Sequence, residues 1–418
     1  MSDLHLDAVI FIPGLGNWHE QSVDDIARRI AVSLDRNAHS SAAQFKLQPE
    51  AKEEEYVSDG DLARRSRVRT ITRKDAAPEV PVLDVYEFDY QPILTRKYEH
   101  LNPVMQSVRL FSLLALNLPR LIKASRSRAK SGSAKAQFYM AVLIVSLLIV
   151  YMAFLFIAAA GVIGQAIVQA AQTVGVISPA AAPASGAPAP LYLGTLQSIV
   201  ILVAAVQALW PKLREALLQG ALTYTCVIEY ITYGERRDVI AGQFLDLLEH
   251  LAEKGQYRQI HVIAYSFGSI IAIDALFPAN QKASDRYSLI QTLSTIGCPY
   301  DLVRMIWPTY FEDRYGKLDW PQRWLNVYSP LDALASDFYD HDHKKGSSEK
   351  ALQLAEGGER MPQNLVYRSG SVQFSPLAAL ALQGIRAHAD YWEAEYESEV
   401  SCFTDIVQTL YADDALLQ

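Results

Sequence analysis

Between Lys135 and Lys212 the chain carries no Lys, Arg, Asp or Glu. A stretch so poor in charge excludes ordinary amphipathic surface helices, which keep one polar face. Two pieces of it, 136–161 and 191–210, have the roughly 20 apolar residues needed to cross about 30 Å of hydrocarbon. Arg120, Lys123, Arg126, Arg128, Lys130 and Lys135 precede the first, Lys212 and Arg214 follow the second, and the connector SPAAAPASGAPAP is uncharged. The positive-inside rule then puts both flanks in the cytoplasm. The expectation is a two-helix transmembrane hairpin, with the lipid bilayer as a partner, a bacterial inner membrane as the location, and a route to a homo-oligomer through the spans.

Cysteine is also scarce. Cys226, Cys298 and Cys402 lie far apart with no C-x-x-C pair, which excludes a zinc-finger spacing and a disulfide framework and points to a reducing compartment. No metal and no cofactor is expected. The net charge of −8 lacks the basic excess that nucleic-acid binding uses, so no nucleic acid is expected. The opening MSDLHLDAVIFIPG is acidic where a signal peptide would be basic, so the chain is expected to start in the cytoplasm.

What the chain does have is length and core. Half of its 418 residues are hydrophobic, enough for a large buried core. Outside the charge-free stretch, strand-like and helix-like patterns alternate, which predicts an α/β fold with a mostly parallel sheet and helices on both faces. Strands are read at Asp7 to Ile12, Val82 to Tyr90, Gln259 to Tyr265, Thr292 to Gly297, Trp324 to Tyr328 and Asn364 to Tyr367. Helices are read at Gln21 to Leu34, His100 to Leu121, Glu215 to Tyr233 and Val239 to Lys254, the last with Leu245, Leu247, Leu248 and Leu251 inward. Between short strand-like pieces at Gln44 to Gln48 and Val68 to Thr72, the run KEEEYVSDGD reads as a solvated loop. The expected division is 1–135 and 212–418 as two parts of one α/β domain, interrupted by the hairpin at 136–211.

The run IHVIAYSFGSIIAIDALFP, from Ile260 to Pro278, is a buried strand that breaks at Tyr265-Ser266-Phe267-Gly268 and resumes as an apolar helix. Its A-x-S-x-G centre is a near variant of the elbow that lifts a serine hydroxyl to the top of a sheet. Ala264 and Gly268 supply the small side chains this crowding needs, and Ser266 is the candidate nucleophile. A serine needs an imidazole to take its proton and usually a carboxylate to orient that imidazole. Asp332 follows the strand ending near Tyr328, with Asp337 and Asp301 as competitors. His388 lies beyond the last strand, whereas His341 and His343 sit in a polar run and His261 lies deep in the serine's own strand. An oxyanion hole would use the N–H of Phe267 and, from the turn Pro13-Gly14-Leu15-Gly16 after the first strand, that of Leu15, with Gly14 and Gly16 allowing close approach. This G-x-G turn matches neither the dinucleotide fingerprint nor a P-loop.

The stretches VIFIPGLG, IHVIAYSFGS, TIGCPYDLV, WLNVYSPLD and AHADYW together resemble the lipase/esterase branch of the α/β-hydrolase superfamily, with similarity to DDHD-type and inositol-deacylase-like lipases. The resemblance covers about half of the chain. It implies a triad of Ser266, Asp332 and His388 and hydrolysis of carboxylic esters, with lipid or acylated substrates. The chain departs from the pattern at Pro13-Gly14, where histidine-glycine is usual, and at Ala264, where glycine is usual. Alternatives are a non-catalytic membrane scaffold or effector with a hydrolase-like fold, and an acyltransferase with the same triad.

Overall fold

A computed structural model of the chain describes residues 6–16, 23–38, 45–57, 64–74, 79–99, 225–279, 285–315, 320–332, 334–338, 352–354, 359–367, 387–388, 390–392 and 401–411, with isolated positions at 112, 146, 170, 173, 174, 223 and 282. The chain divides into two compact units, one comprising Met1–Arg96, Leu121–Ala141 and Cys226–Gln418, the other Lys97–Arg120 and Val142–Thr225. Nearly all of the second unit lies outside the described residues.

The first unit is built on a nine-stranded sheet. Its strands are β1 (Leu6–Ile12), β2 (Phe45–Leu47), β3 (Lys52–Val57), β4 (Arg64–Arg73), β5 (Val80–Glu87), β6 (Tyr257–Tyr265), β7 (Ile290–Ile296), β8 (Arg323–Tyr328) and, after a separate two-stranded ribbon of β9 (Leu352–Gln353) and β10 (Glu359–Arg360), β11 (Gln363–Val366). The order is β11-β8-β7-β6-β1-β5-β4-β2, with β3 also paired to β4. Pairing is parallel from β11 to β5 and antiparallel from β5 outward. The sheet is therefore mixed. Its parallel centre follows from runs such as LDAVIFI in β1, whose residues from Asp7 onward are all buried, as strands covered on both faces require.

The α-helices are α1 (Val23–Asn37), α2 (Gln91–Glu99), α3 (Glu235–Lys254), α4 (Phe267–Leu276), α5 (Tyr300–Ile306) and α6 (Cys402–Tyr411), with a further helical stretch at 225–233 and short 3-10 turns at Asp285–Leu289 and Asp390–Trp392. On one face, Ile26, Ile30 and Leu34 of α1 and Phe403, Ile406 and Val407 of α6 share a core with Val9, Phe11, Val85, Ile263 and Val327 from the sheet. The alternate residues of these strands point the other way, where α4 lies on β1 and β6 and α3 packs on α4. Asp24 and Asp25 in the first turn of α1 and Arg36 in its last suit the helix dipole. Gly255 at φ 61 ends α3, its N–H bonding to Ala252 O.

The transmembrane expectation is corrected. Among the described residues no helix is long and apolar enough to cross a membrane. The 20-residue α3 has the length, but its sequence ERRDVIAGQFLDLLEHLAEK keeps charge at both ends and its middle, and buries only a stripe of Ile240, Phe244, Leu247, Leu248 and Leu251. The segments 136–161 and 191–210, apart from Ser146, lie outside the described residues, as does the helix read at 100–121 apart from Ser112. The expected two-span hairpin, membrane location with cytoplasmic domains, bacterial inner membrane and oligomer formed through spans fall with the transmembrane expectation.

Smaller differences have local causes. KEEEYV is strand β3, because β4 places Arg65 opposite Glu55 and Arg67 opposite Glu53, and such opposite-charge pairs support a polar strand. In α3 the inward set includes Ile240 and Phe244, while Leu245 is only half-buried. The helix read at 215–233 is described only from 225 on, apart from position 223.

Behind α4 lies a buried ion pair. Arg314, with no exposed surface, donates to Asp274 Oδ1 at 2.7 Å, to Phe277 O at 3.1 Å and to Tyr310 O at 2.6 Å, while Tyr310 donates its hydroxyl to Asp274 Oδ2 at 2.5 Å. Removing one partner strands the other charge in a dry site. Arg314→Ala is expected to destabilise the protein by about 3–5 kcal/mol, read as a lower urea midpoint at unchanged slope.

Glu87, at the end of β5, is pushed up to about 7 from 4.5, first by burial and then by the neighbouring Asp89 carboxylate, against the opposing pull of Arg67. An acid raised in the folded state adds stability while protonated, fully so below 4.5, and loses that contribution as pH rises through about 7. Glu87→Gln is therefore expected to match the parent near pH 4.5 and to exceed it at pH 8 by on the order of 3 kcal/mol, checked by urea midpoints across that range.

Candidate active site

Because β1, β6, β7, β8 and β11 run parallel, the segments that follow them emerge on one edge of the sheet. The chain leaves β1 on one side for β5 and returns on the other for β6, so β1 marks a switch in strand order, the place where open α/β sheets form a crevice. Pro13-Gly14-Leu15 and Ser266 sit there, after β1 and β6.

Ser266 has φ 51 and ψ −124, a region rarely adopted by residues other than glycine. Two backbone bonds hold it there, from Ser266 N–H to Ile296 O at 2.8 Å and from Ser269 N–H to Ser266 O at 2.9 Å. The tight turn lets α4 start directly against β1. A Cβ added to Gly268 would lie 2.4 Å from Pro13 O and 2.5 Å from Ile12 O, and one added to Gly14 would lie 3.1 Å from Ser266 Cβ. Ala264 is fully buried beneath. The small residues read from the sequence are thus the ones on which this approach depends.

Three remote segments meet at the serine. His388 Nε2 lies 2.7 Å from Ser266 Oγ, and His388 Nδ1 lies 2.7 Å from Asp332 Oδ2. An ionised carboxylate can only accept, so Nδ1 carries the proton and Nε2 is left to accept from the serine hydroxyl. Asp332 and His388 are buried, at 1% and 5% exposure, while Ser266 is partly exposed. Leu334 N–H donates to Asp332 Oδ1 at 2.8 Å, so the carboxylate is oriented at both oxygens.

The competing candidates fall elsewhere. Asp301 lies in α5, its N–H donating to Ser336 Oγ at 2.7 Å. Asp337 is half-buried beyond the Asp332 turn. His261 is buried within β6, its ring 5.6 Å from that of Tyr411. His341 and His343 lie outside the described residues. Burial raises the Cys298 thiol far from its ordinary range, which keeps it protonated and unreactive.

Phe267 is the first residue of α4, so its N–H has no acceptor within the helix. Leu15 is buried, and its turn is tied from the start of α2, where Tyr90, just before the helix, donates its hydroxyl to Pro13 O at 2.9 Å and Gln91 Nε2 donates to Gly14 O at 2.8 Å. In a trans peptide C=O and N–H point oppositely, so drawing the Gly14 carbonyl toward Gln91 turns the Leu15 N–H away from it. Gly16, at φ 132, completes the turn in a conformation that favours glycine.

Several residues of the site escaped the sequence reading. Tyr265 stacks on the His388 ring at 5.3 Å and donates its hydroxyl to His388 O at 2.5 Å. Tyr391 donates to Asp332 Oδ2 at 2.9 Å. Gly297, at φ 60, leaves room for the imidazole, since an added Cβ would lie 3.1 Å from His388 Cε1. Gln91 ties the turn. Tyr265, at the end of the apolar run VIAY, needs a partner for its hydroxyl, but nothing in the local sequence says that the partner is a histidine, and Tyr391, in the charged stretch HADYWEAE, carried no such signal. Among the described residues no cluster of His, Cys, Asp and Glu could hold a metal ion.

The arrangement can transfer a proton from a hydroxyl to an imidazole whose charge a buried carboxylate balances. Gly268→Val is expected to displace the Pro13 turn from Ser266 and slow any reaction of this serine about a hundredfold, as a misplacement near 1 Å does, with the rate of covalent modification of Ser266 as the measurement. Comparison with known proteins finds no family pattern, no curated protein and no solved structure that matches this chain.

Proposed function

We propose that this chain is a serine hydrolase that cleaves carboxylic esters through an acyl-enzyme. The observation that carries the reading is the pair of 2.7 Å contacts made by His388, one to Ser266 and one to Asp332, across 122 and 56 residues of sequence. Three segments so far apart converge in this order with the serine on a strained turn, an arrangement that packing alone does not require. The likeness of the local sequence stretches to the lipase/esterase branch of the α/β-hydrolases points the same way.

In the proposed cycle His388 Nε2 takes the Ser266 proton as Oγ bonds to the ester carbonyl carbon. The carbonyl oxygen becomes an oxyanion, bound by the N–H groups of Phe267 and Leu15. Asp332 steadies the imidazolium that forms. The tetrahedral species collapses as the carbon–oxygen bond to the alcohol breaks, and His388 returns its proton to that leaving oxygen. A water molecule, deprotonated by His388, then attacks the acyl carbon, releasing the acid and regenerating Ser266.

The test is covalent labelling by a fluorophosphonate probe, with the adduct located by peptide mass, alongside hydrolysis of short activated esters. Wild type is expected to label at Ser266 and to turn over ester. Ser266→Ala and His388→Ala should each reduce turnover by about six orders of magnitude, and Asp332→Asn by about four. A folded wild-type protein that neither labels nor hydrolyses would overturn the reading.

A further inference from the structure

Tyr391 lies three residues after His388, fully buried, in the short 3-10 turn Asp390–Trp392. Its hydroxyl bridges the Ser329 backbone and the triad acid. Ser329 N–H, just past β8, donates to the Tyr391 oxygen at 2.8 Å, and the Tyr391 hydroxyl donates to Asp332 Oδ2 at 2.9 Å. Oδ2 is also the oxygen that accepts from His388 Nδ1 at 2.7 Å. Two donors therefore share one carboxylate oxygen, while Oδ1 is engaged by Leu334 N–H.

The direction of the phenol proton follows from chemistry. The tyrosine oxygen receives the backbone N–H and the carboxylate offers no proton, so the phenol must donate to Asp332. Accepting from Ser329 polarises the hydroxyl and strengthens its own donation. Burial, and then the adjacent Asp332 charge, raise the phenol well above its usual value, so it stays a neutral donor. Among the described residues, the titratable groups facing the Asp332–His388 pair are Tyr265 at the end of β6, Ser266 just after it and Tyr391 itself, with Tyr367, just past β11, stacked on Tyr391 at 5.8 Å. Tyr367 and the edge of Tyr265, at 6.3 Å, hold the Tyr391 ring in place.

We propose that Tyr391 is a positioning residue that sets the strength of the base: by sharing Asp332 Oδ2 with His388, it restrains how firmly the carboxylate holds the imidazolium. The inference rests on the hydrolytic reading of Ser266. A carboxylate already bonded to the phenol has less charge to offer His388 Nδ1–H, so the imidazolium gives up its proton more readily. Removing the phenol hydroxyl returns that charge to His388. The protonated, non-basic histidine then persists to higher pH. The same hydroxyl also fixes where Oδ2 sits, so its loss adds a decrease in rate at every pH.

The experiment measures the rate of fluorophosphonate labelling at Ser266 from pH 5 to pH 9 in the full-length protein, comparing wild type, Tyr391→Phe and a protein carrying 3-fluorotyrosine at position 391. Tyr391→Phe is expected to move the acid limb of the profile upward by about half a pH unit or more, as the loss of one hydrogen bond to a carboxylate implies. Fluorotyrosine, a stronger donor of nearly the same shape, should move it downward, and it decides the matter if Tyr391→Phe fails to fold. Rates that fall equally at all pH values in Tyr391→Phe, with the limb unmoved in both proteins, would reduce Tyr391 to a packing residue and sink the proposal while leaving the hydrolytic reading intact. Absence of Ser266 labelling in folded wild type would instead remove the reading on which the proposal rests.

Discussion

The site depends first on how closely α4 can approach β1. Ser266 sits at positive φ, a conformation that costs on the order of 1–3 kcal/mol for a residue with a side chain. The surrounding structure must offset that cost. It does so by packing α4 so tightly that no side chain fits at Gly268, where even one carbon would strike the carbonyls of Ile12 and Pro13. The same contact joins the Ser266 turn to the glycine turn after β1. Whatever loosens one loosens the other, because they share a backbone surface and not a flexible side chain.

Around that contact the sheet acts as a ruler for Asp332 and His388. A row of polar side chains, buried up to its half-buried end at Asn364, runs across β7, β8 and β11: Trp324 Nε1 donates to Thr295 Oγ1, Thr295 bonds to Asn326, and Asn326 Nδ2 donates to Asn364 Oδ1 and Ser336 O. Asn326 thus fastens the segment after Asp332 to the strand before it. Polar groups in such a dry place are costly unless satisfied and specify geometry when they are. On the opposite side of the imidazole, Tyr265 grips the His388 carbonyl and ring while Trp392 packs between Phe11, Tyr265 and Phe403. The AHADYW motif therefore combines the imidazole, the phenol that bonds Asp332 and a core anchor within six residues.

Patterning made most of the parallel strands readable, since β1, β5, β6, β7 and β8 carry buried apolar runs bounded by turn residues, while β11, QNLV, is a half-polar strand at the sheet edge. It misjudged β3, whose three glutamates read as solvated until β4 and Lys254 are seen to neutralise them. It overlooked α2, whose sequence QPILTRKYE has no clear apolar face. The charge-free stretch suggested membrane helices on hydropathy alone, and the described part of the fold contains none. At the site, Ser266, Asp332 and His388 were legible because each follows a strand that a parallel sheet brings to one edge. The tyrosines were not, since nothing local distinguishes a core tyrosine from one that holds a histidine.

The sequence by itself determined the strand-turn-helix around Ser266, because only small residues at Ala264 and Gly268 permit that turn, and it determined which edge Asp332 and His388 would reach. Tertiary structure alone decided the rest: which of three aspartates meets the imidazole, that Gly297 must leave room for it, and that a phenol and an imidazole share one carboxylate oxygen. Those are distances of a few ångströms between segments tens to more than a hundred residues apart. No periodicity along the chain encodes them, because they exist only once the sheet has brought the segments together.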